Sequence, residues 1–210
     1  MHTFFTPNRV WPPGQHLLHV YYLPEPAQVA PTQEVYLPAL EDHLDCLALV
    51  PPQWMHATLV KITRPAETID DNLRGTLATA LKDGLANLPK AKMIAGPAVA
   101  GASAIMLDLT PDKDWNRLRD AAAAIVTDVL GPGNVSIGGG RPHLTLAYGI
   151  GNGDSGAMGS GLRRATDLRL PLVLDRLHLV EVTQHPEPDT YGYRWSVLAE
   201  LGLSTSTPSP

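Results

Sequence analysis

The chain is short of cysteine, of positive charge and of long apolar runs. One cysteine, Cys46, stands among 210 residues. That excludes an internal disulfide and any zinc site built on several thiolates. Lys and Arg number 16 against 21 Asp and Glu, for a net charge of -5. There is no basic surplus to grip long duplex nucleic acid, though a small anion or one end of an RNA strand is still compatible with this charge. No apolar run reaches the length of about 18 residues that a membrane helix needs. Residues 1–13 lack the charged-then-apolar order of a secretory signal, so a cytoplasmic location is expected. What is present is a globular composition, 44% hydrophobic and 18% charged, with an unusual load of 18 Gly and 20 Pro.

The periodicities predict an α+β chain. Residues 16–23 (HLLHVYYL) are aromatic and β-branched between Gly14 and Pro24 and read as a buried strand. Residues 32–47 read as a weak helix with Thr32 as its cap, against the warning of Pro38. A strand follows at 54–62. Thr68 with Asp71 resembles a capping box, and Leu73, Leu77, Leu81, Leu85 and Leu88 continue at helical spacing. Strands are expected at 92–99 and 103–109. Thr110 as cap, Pro111 at the first helical position and the stripe Trp115, Leu118, Ala122, Ile125, Val126 and Val129 mark a second helix ending at Gly131. Beyond it lie strands at 143–148, 171–182 and 191–199, and a short glycine-containing helix near 156–165. Strand, helix, strand, helix, strand over 16–99 therefore recurs over 103–182, which suggests a duplication with a pseudo-two-fold axis. Residues 1–10 and 203–210 are expected as flexible ends around one bilobal domain, 11–202.

Both middle strands carry one tetrapeptide pattern, His56-Ala57-Thr58-Leu59 and His143-Leu144-Thr145-Leu146, 87 residues apart. A lone His-x-Thr is common by chance in a chain with 8 His. Two copies followed by Leu, at equivalent places in a repeat, are not. Residues i and i+2 of a strand share a face, so His56 sides with Thr58 and His143 with Thr145. A pseudo-two-fold axis would set two imidazoles and two hydroxyls across one groove. A neutral and a protonated imidazole supply a general base and a general acid. The hydroxyls can donate to non-bridging phosphate oxygens.

The segments PPQWMHATLV and GRPHLTLAYG, with the tail Tyr191-Gly-Tyr-Arg-Trp195, resemble the 2H phosphoesterase superfamily, which is named for its two His-x-Thr/Ser motifs. It includes 2′-5′ RNA ligase-like proteins and cyclic phosphodiesterases. The resemblance covers about residues 10–200. It implies a bilobal fold with two antiparallel sheets lining a central cleft. It further implies His56 and His143 as the catalytic pair, Thr58 and Thr145 as phosphate partners, and no metal or other cofactor. The implied reaction opens 2′,3′-cyclic phosphates or related RNA-end diesters, with 2′-5′ ligation as a further activity. Ala147-Tyr148-Gly149 stands where some RNA-acting members carry a basic residue, which argues against long RNA.

Alternation adds Trp54 and Arg141, each two residues before a motif histidine, as candidates for base stacking and phosphate binding. Tyr193 and Trp195 share a face of the last strand with Tyr191 and are candidate substrate contacts. Lys61 should point away from His56 into solvent. Gly153-Asp-Ser-Gly156 and G-x-G-x-x-G over 151–156 match a protease loop and a dinucleotide loop in string only. No disulfide framework or parallel-sheet pattern supports either. The eight His show no metal-ligand spacing. The expected protein is a monomer acting on a nucleotide or RNA terminus, with no membrane partner. The competing class is a module that binds a nucleotide or phosphometabolite without turning it over. Eleven of the 18 Gly fall between 131 and 161. They predict flexible loops beside the cleft, with 149–161 setting substrate choice.

Overall fold

The computed structural model describes residues 1–137, 140–165 and 167–204. Along the chain run β1 (Leu17–Tyr22), α1 (Pro26–Leu40), β2 (Leu47–Leu49), β3 (Ala57–Pro65), α2 (Asp71–Leu85), β4 (Ala91–Ala100) and β5 (Ala104–Thr110). Then come α3 (Asp112–Leu130), β6 (Val135–Ser136), β7 (His143–Gly149), α4 (Ser155–Ala165), β8 (Leu170–Leu174), β9 (Arg176–His185) and β10 (Gly192–Gly202). Two five-stranded antiparallel sheets result, ordered β10-β9-β1-β3-β6 and β8-β4-β5-β7-β2. The two orders correspond strand for strand, with β1 answering β5 and β3 answering β7. This is the duplicated α+β arrangement that the repeat predicts.

The halves are interleaved, however. β4 ends the first repeat in sequence but pairs with β5 and β8 in the second sheet. The expected single strand 171–182 is two strands, broken at Asp175. β8 stays in the second sheet while β9 crosses to lie between β1 and β10. The adjacent polar pair Asp175-Arg176 marks the place in the sequence, and pairing partners decide the break. The helices follow the same exchange: α2 and α3 pack together over the first sheet, α1 and α4 over the second. One apolar core joins both sheets. It includes Leu18, Leu59 and Leu77 from the first half and Leu107, Leu118 and Leu146 from the second.

Local chemistry shifts several expected boundaries. The first helix begins at Pro26, where the missing N–H costs nothing, and continues past Pro31 and Pro38 to Leu40. Thr32 is not its cap but a buried interior residue whose hydroxyl donates to the Val29 carbonyl at 2.6 Å. Residues 41–46 are a 3₁₀ turn. Asp70, not Thr68, caps α2, with its carboxylate accepting from the Leu73 N–H at 2.8 Å. Thr68 donates to the Pro65 carbonyl instead. Pro111 itself occupies the cap position of α3, one residue later than expected, and Asp112 and Asp114 lie in the first turn.

The first residues, expected as a loose end, are stitched to the second half. The Met1 ammonium donates to the Gly153 carbonyl at 2.7 Å, the Phe4 N–H to Gly149 at 2.7 Å, and the Phe5 N–H to the Tyr191 hydroxyl at 2.7 Å. At the other end Leu203 is buried and the Ser204 N–H donates to the Leu88 carbonyl. The rest of the expected tail, 205–210, lies outside the described residues. No helix among the described residues is long and apolar enough to cross a membrane.

Candidate active site

His56 and His143 stand at the starts of β3 and β7, which touch across a cleft of about 280 Å³. Both are presented identically. His56 Nδ1 lies 3.1 Å from the Trp54 carbonyl oxygen, and His143 Nδ1 lies 2.8 Å from the Arg141 carbonyl oxygen. A carbonyl only accepts, so each Nδ1 carries a proton. In each neutral ring Nε2 is then the free base. Trp54 ends the short 3₁₀ turn Pro52–Trp54 and Arg141 directly precedes Pro142, so each carbonyl belongs to the second residue before its histidine.

Each threonine is followed by a bulge. Val20 pairs with Val60 but Tyr21 pairs with Thr58, so Leu59 is the extra residue of β3. Ile105 pairs with Ala147 but Met106 pairs with Thr145, so Leu146 is the extra residue of β7. Leu59 and Leu146 are both buried beneath the sheets. A bulge shifts the face parity of everything after it. Lys61, expected on the opposite face from His56, therefore lines the cleft, and so does its counterpart Tyr148.

The surroundings of the two histidines differ. His56 is buried and stacked on Tyr21, with centroids 4.2 Å apart and planes 18° apart. Trp195 meets it edge-on at 4.8 Å and Tyr193 at 6.1 Å. Burial pushes its pKa down to about 4, helped by the nearby His143 and Lys61 and opposed by the bond to Trp54. The ring is neutral at pH 7. His143 is only half-buried, and the exposed Arg141 beside it reaches Asp112 at 3.4 Å and Asp108 at 3.9 Å.

Of the remaining candidates, Thr58, Thr145, Arg141 and Tyr193 line the cleft. Trp54 contributes its carbonyl, but its ring lies outside the cleft lining, edge-on to Trp195 at 4.9 Å with Arg194 over it at 4.9 Å. Trp195 backs His56 and faces a neighbouring cavity of about 370 Å³. Sequence reasoning missed Phe4, Arg9 and Arg119. Arg119 lies one turn after Trp115 on α3, an i, i+4 spacing that could have flagged it. The cleft is lined by Arg9, Lys61, Arg119 and Arg141, and among the described residues no carboxylate lines it. Four of the 16 Lys and Arg thus border the place where the two imidazoles meet, Arg119 being paired as well with Asp120 at 2.8 Å.

The glycine-rich stretch 149–161 does not line the cleft among the described residues. It turns into α4, where Asp154 accepts from the Gly156 and Ala157 N–H groups at 2.8 and 3.0 Å. The protease-like and dinucleotide-like strings are therefore a helix start in an antiparallel protein. Gly149 and Gly161 are close-approach residues: a side chain at 149 would strike the His2 carbonyl, and one at 161 would press tightly on the Ala39 carbonyl. Of the first glycine-rich stretch, Gly140 borders the cleft, while Gly138 and Gly139 lie outside the described residues.

No family model matches the chain, and no curated protein matches it. Solved structures do. TT0787 of Thermus thermophilus is 18% identical with a TM-score of 0.66, over 89% of this chain and 97% of that one. LigT of E. coli complexed with 3′-AMP is 14% identical with a TM-score of 0.61, over 90% and 99%. A structure described as a phosphoesterase is 11% identical with a TM-score of 0.61, over 90% and 99%. The fold is that of these solved structures. On it the paired motif strands stand at corresponding places of the two sheets.

Proposed function

We propose that the chain is a phosphodiesterase that opens 2′,3′-cyclic nucleotide or RNA-end phosphates by two-histidine acid–base catalysis. The observation that carries this reading is the cleft itself. Two imidazoles in one tautomer, two hydroxyls and four cations surround a space that, among the described residues, no carboxylate lines. E. coli LigT, of the same fold, has been crystallised with 3′-AMP, phosphate, ATP and NADP+. A nucleotide substrate suits those precedents.

His56, neutral and buried, is the base: Nε2 takes a proton from water as its oxygen attacks phosphorus. His143 is the acid, because its open position lets water and the cleft mouth solvate an imidazolium. It protonates the ribose 3′ oxygen as that P–O bond breaks, leaving a 2′-phosphate. Thr58 and Thr145 donate to non-bridging oxygens where negative charge grows. Arg141 and Lys61 hold the phosphate, and Phe4 and Tyr193 offer flat ring surface to a base. A ribose hydroxyl in place of water would run the step toward a 2′-5′ linkage. No step calls on a metal ion or cofactor.

The test is incubation with the four 2′,3′-cyclic nucleotides in EDTA, followed by phosphorus NMR. Conversion of the cyclic signal to a monoester is expected. Saturable binding with no monoester would support the non-catalytic binding module instead.

A further inference from the structure

The four cations that line the cleft are not equivalent. Arg141 is answered by Asp112 at 3.4 Å and Asp108 at 3.9 Å, and Arg119 by Asp120 at 2.8 Å. Lys61 and Arg9 form no ion pair among the described residues. A 2′,3′-cyclic phosphate carries a single negative charge, which Lys61 on the first motif strand can answer. Arg9 is left over.

Arg9 is also held firmly. The Gln184 side chain clamps the N-terminal segment around it: Nε2 donates to the Arg9 carbonyl at 2.9 Å, and Oε1 accepts from the Trp11 N–H at 2.7 Å. The guanidinium lies over the Phe4 ring at 5.1 Å. Its Nη1 donates to the Phe4 carbonyl at 3.4 Å and to Ser103 Oγ at 3.3 Å. Nε and Nη2, which share the other edge of the fork, have no partner among the described residues. Such an edge fits two oxygens of one phosphate.

Arg9 and Arg141 mark opposite ends of β7. Asp108, which Arg141 reaches, pairs with His143. Ser103, which Arg9 reaches, accepts from the Gly149 N–H at 2.9 Å, and its neighbour Ala104 pairs with Tyr148. Ala104 to Asp108 is roughly 13 Å of strand, more than one phosphate spans. Arg9 therefore addresses a different group from the phosphate at the two histidines. On a nucleoside whose 2′ and 3′ oxygens are closed into the cyclic diester, the remaining place for a phosphate is the 5′ oxygen.

We infer that Arg9 binds a second phosphate of the substrate, the one on the 5′ oxygen of the nucleoside whose cyclic phosphate is opened. The inference rests on the phosphodiesterase reading and narrows it. The preferred substrate is a cyclic phosphate end that also bears a 5′-phosphate, as a free monoester or as the link to a preceding nucleotide.

Three substrates test this: adenosine 2′,3′-cyclic phosphate, the same compound with a 5′-phosphate, and the adenylyl-adenosine dinucleotide ending in the same cyclic phosphate. For the wild type, KM should be about tenfold lower for one or both of the latter two than for the first, with kcat within about twofold. Which of the two gains tells the monoester from the internucleotide link. Arg9→Met should erase the advantage. Equal KM values for all three in the wild type, or an advantage that survives in Arg9→Met, overturns the inference while the functional reading stands. If the wild type opens none of the three, the functional reading fails, and Arg9 is judged by calorimetric titration of adenosine 2′-phosphate and adenosine 2′,5′-bisphosphate. Binding of the bisphosphate about tenfold tighter, with the difference lost in Arg9→Met, supports the inference. Equal affinity, or no binding of either, overturns it.

Discussion

Two histidines of one motif sit in opposite surroundings. His56 is packed among Tyr21, Trp195 and Tyr193 and keeps only a small opening, 8% of its surface, to the cleft. His143 stands half-open beside Arg141 and Gly140, and among the described residues no ring packs on it. Their backbones do the same work: each Nδ1 is tied to the carbonyl two residues earlier. The shared motif therefore sets the tautomer, and the walls around it set the charge. On the proposed mechanism, a duplicated strand supplies two like imidazoles and unequal burial gives them different tasks.

The strongest way to break this comparison is to remove each imidazole and change the leaving group. His56→Ala and His143→Ala should each cost about 10²–10⁴-fold in kcat with a cyclic nucleotide. A nitrophenyl phosphodiester needs no proton on its leaving group. It should restore most of the rate to His143→Ala and little to His56→Ala. Equal rescue of both would cancel the assigned roles. Next come the hydroxyls. Thr58→Val and Thr145→Val should each lower kcat about 10²-fold, the usual cost of losing one donor to a charge-building oxygen. Near-wild-type turnover of either would remove that threonine from the mechanism.

The burial difference also has a thermodynamic signature. The folded-state pKa of His56 is depressed to about 4 from 6.5, so folding favours its neutral form. The unfolded chain binds the proton first as pH falls. Stability is therefore whole above pH 6.5 and is lost as pH drops toward 4, by roughly 3 kcal/mol from this group. His19 and His178, also depressed by burial, lean the same way. Urea titrations from pH 7 to 4 should show His56→Gln with a flatter slope than wild type. An unchanged slope would mean that His56 is not buried as described.

Much of this was legible in the chain. β1, the leucine stripe of α2 and the capped α3 carry strong periodicity, and the motif strands announce themselves by recurrence. Other features leave no local trace. The exchange of β4 and β9 between sheets depends on partners far along the chain. β2 and β6 span three and two residues, too few for a pattern. The glycines of 149–161 suggested mobility because composition does not show what presses against them. At Gly149 and Gly161 that is a carbonyl from the N-terminal segment and one from α1.

The bulges were the costliest omission. Leu59 and Leu146 would be buried whether or not they were bulged, so nothing in residue type distinguishes the two parities. The consequence falls on the residues three positions after each threonine, where the halves differ most in charge: Lys61 in one, Tyr148 in the other. If the parity is as described, Lys61 faces the anionic group and Tyr148 cannot replace it electrostatically. Lys61→Met should then raise KM for a cyclic nucleotide about tenfold, roughly the worth of one charge-assisted contact. It should barely move kcat, and it should weaken the dependence of KM on salt. Tyr148→Phe should leave the salt dependence intact. A Lys61→Met enzyme with wild-type KM and wild-type salt response would place that ammonium back in solvent, where strict alternation puts it.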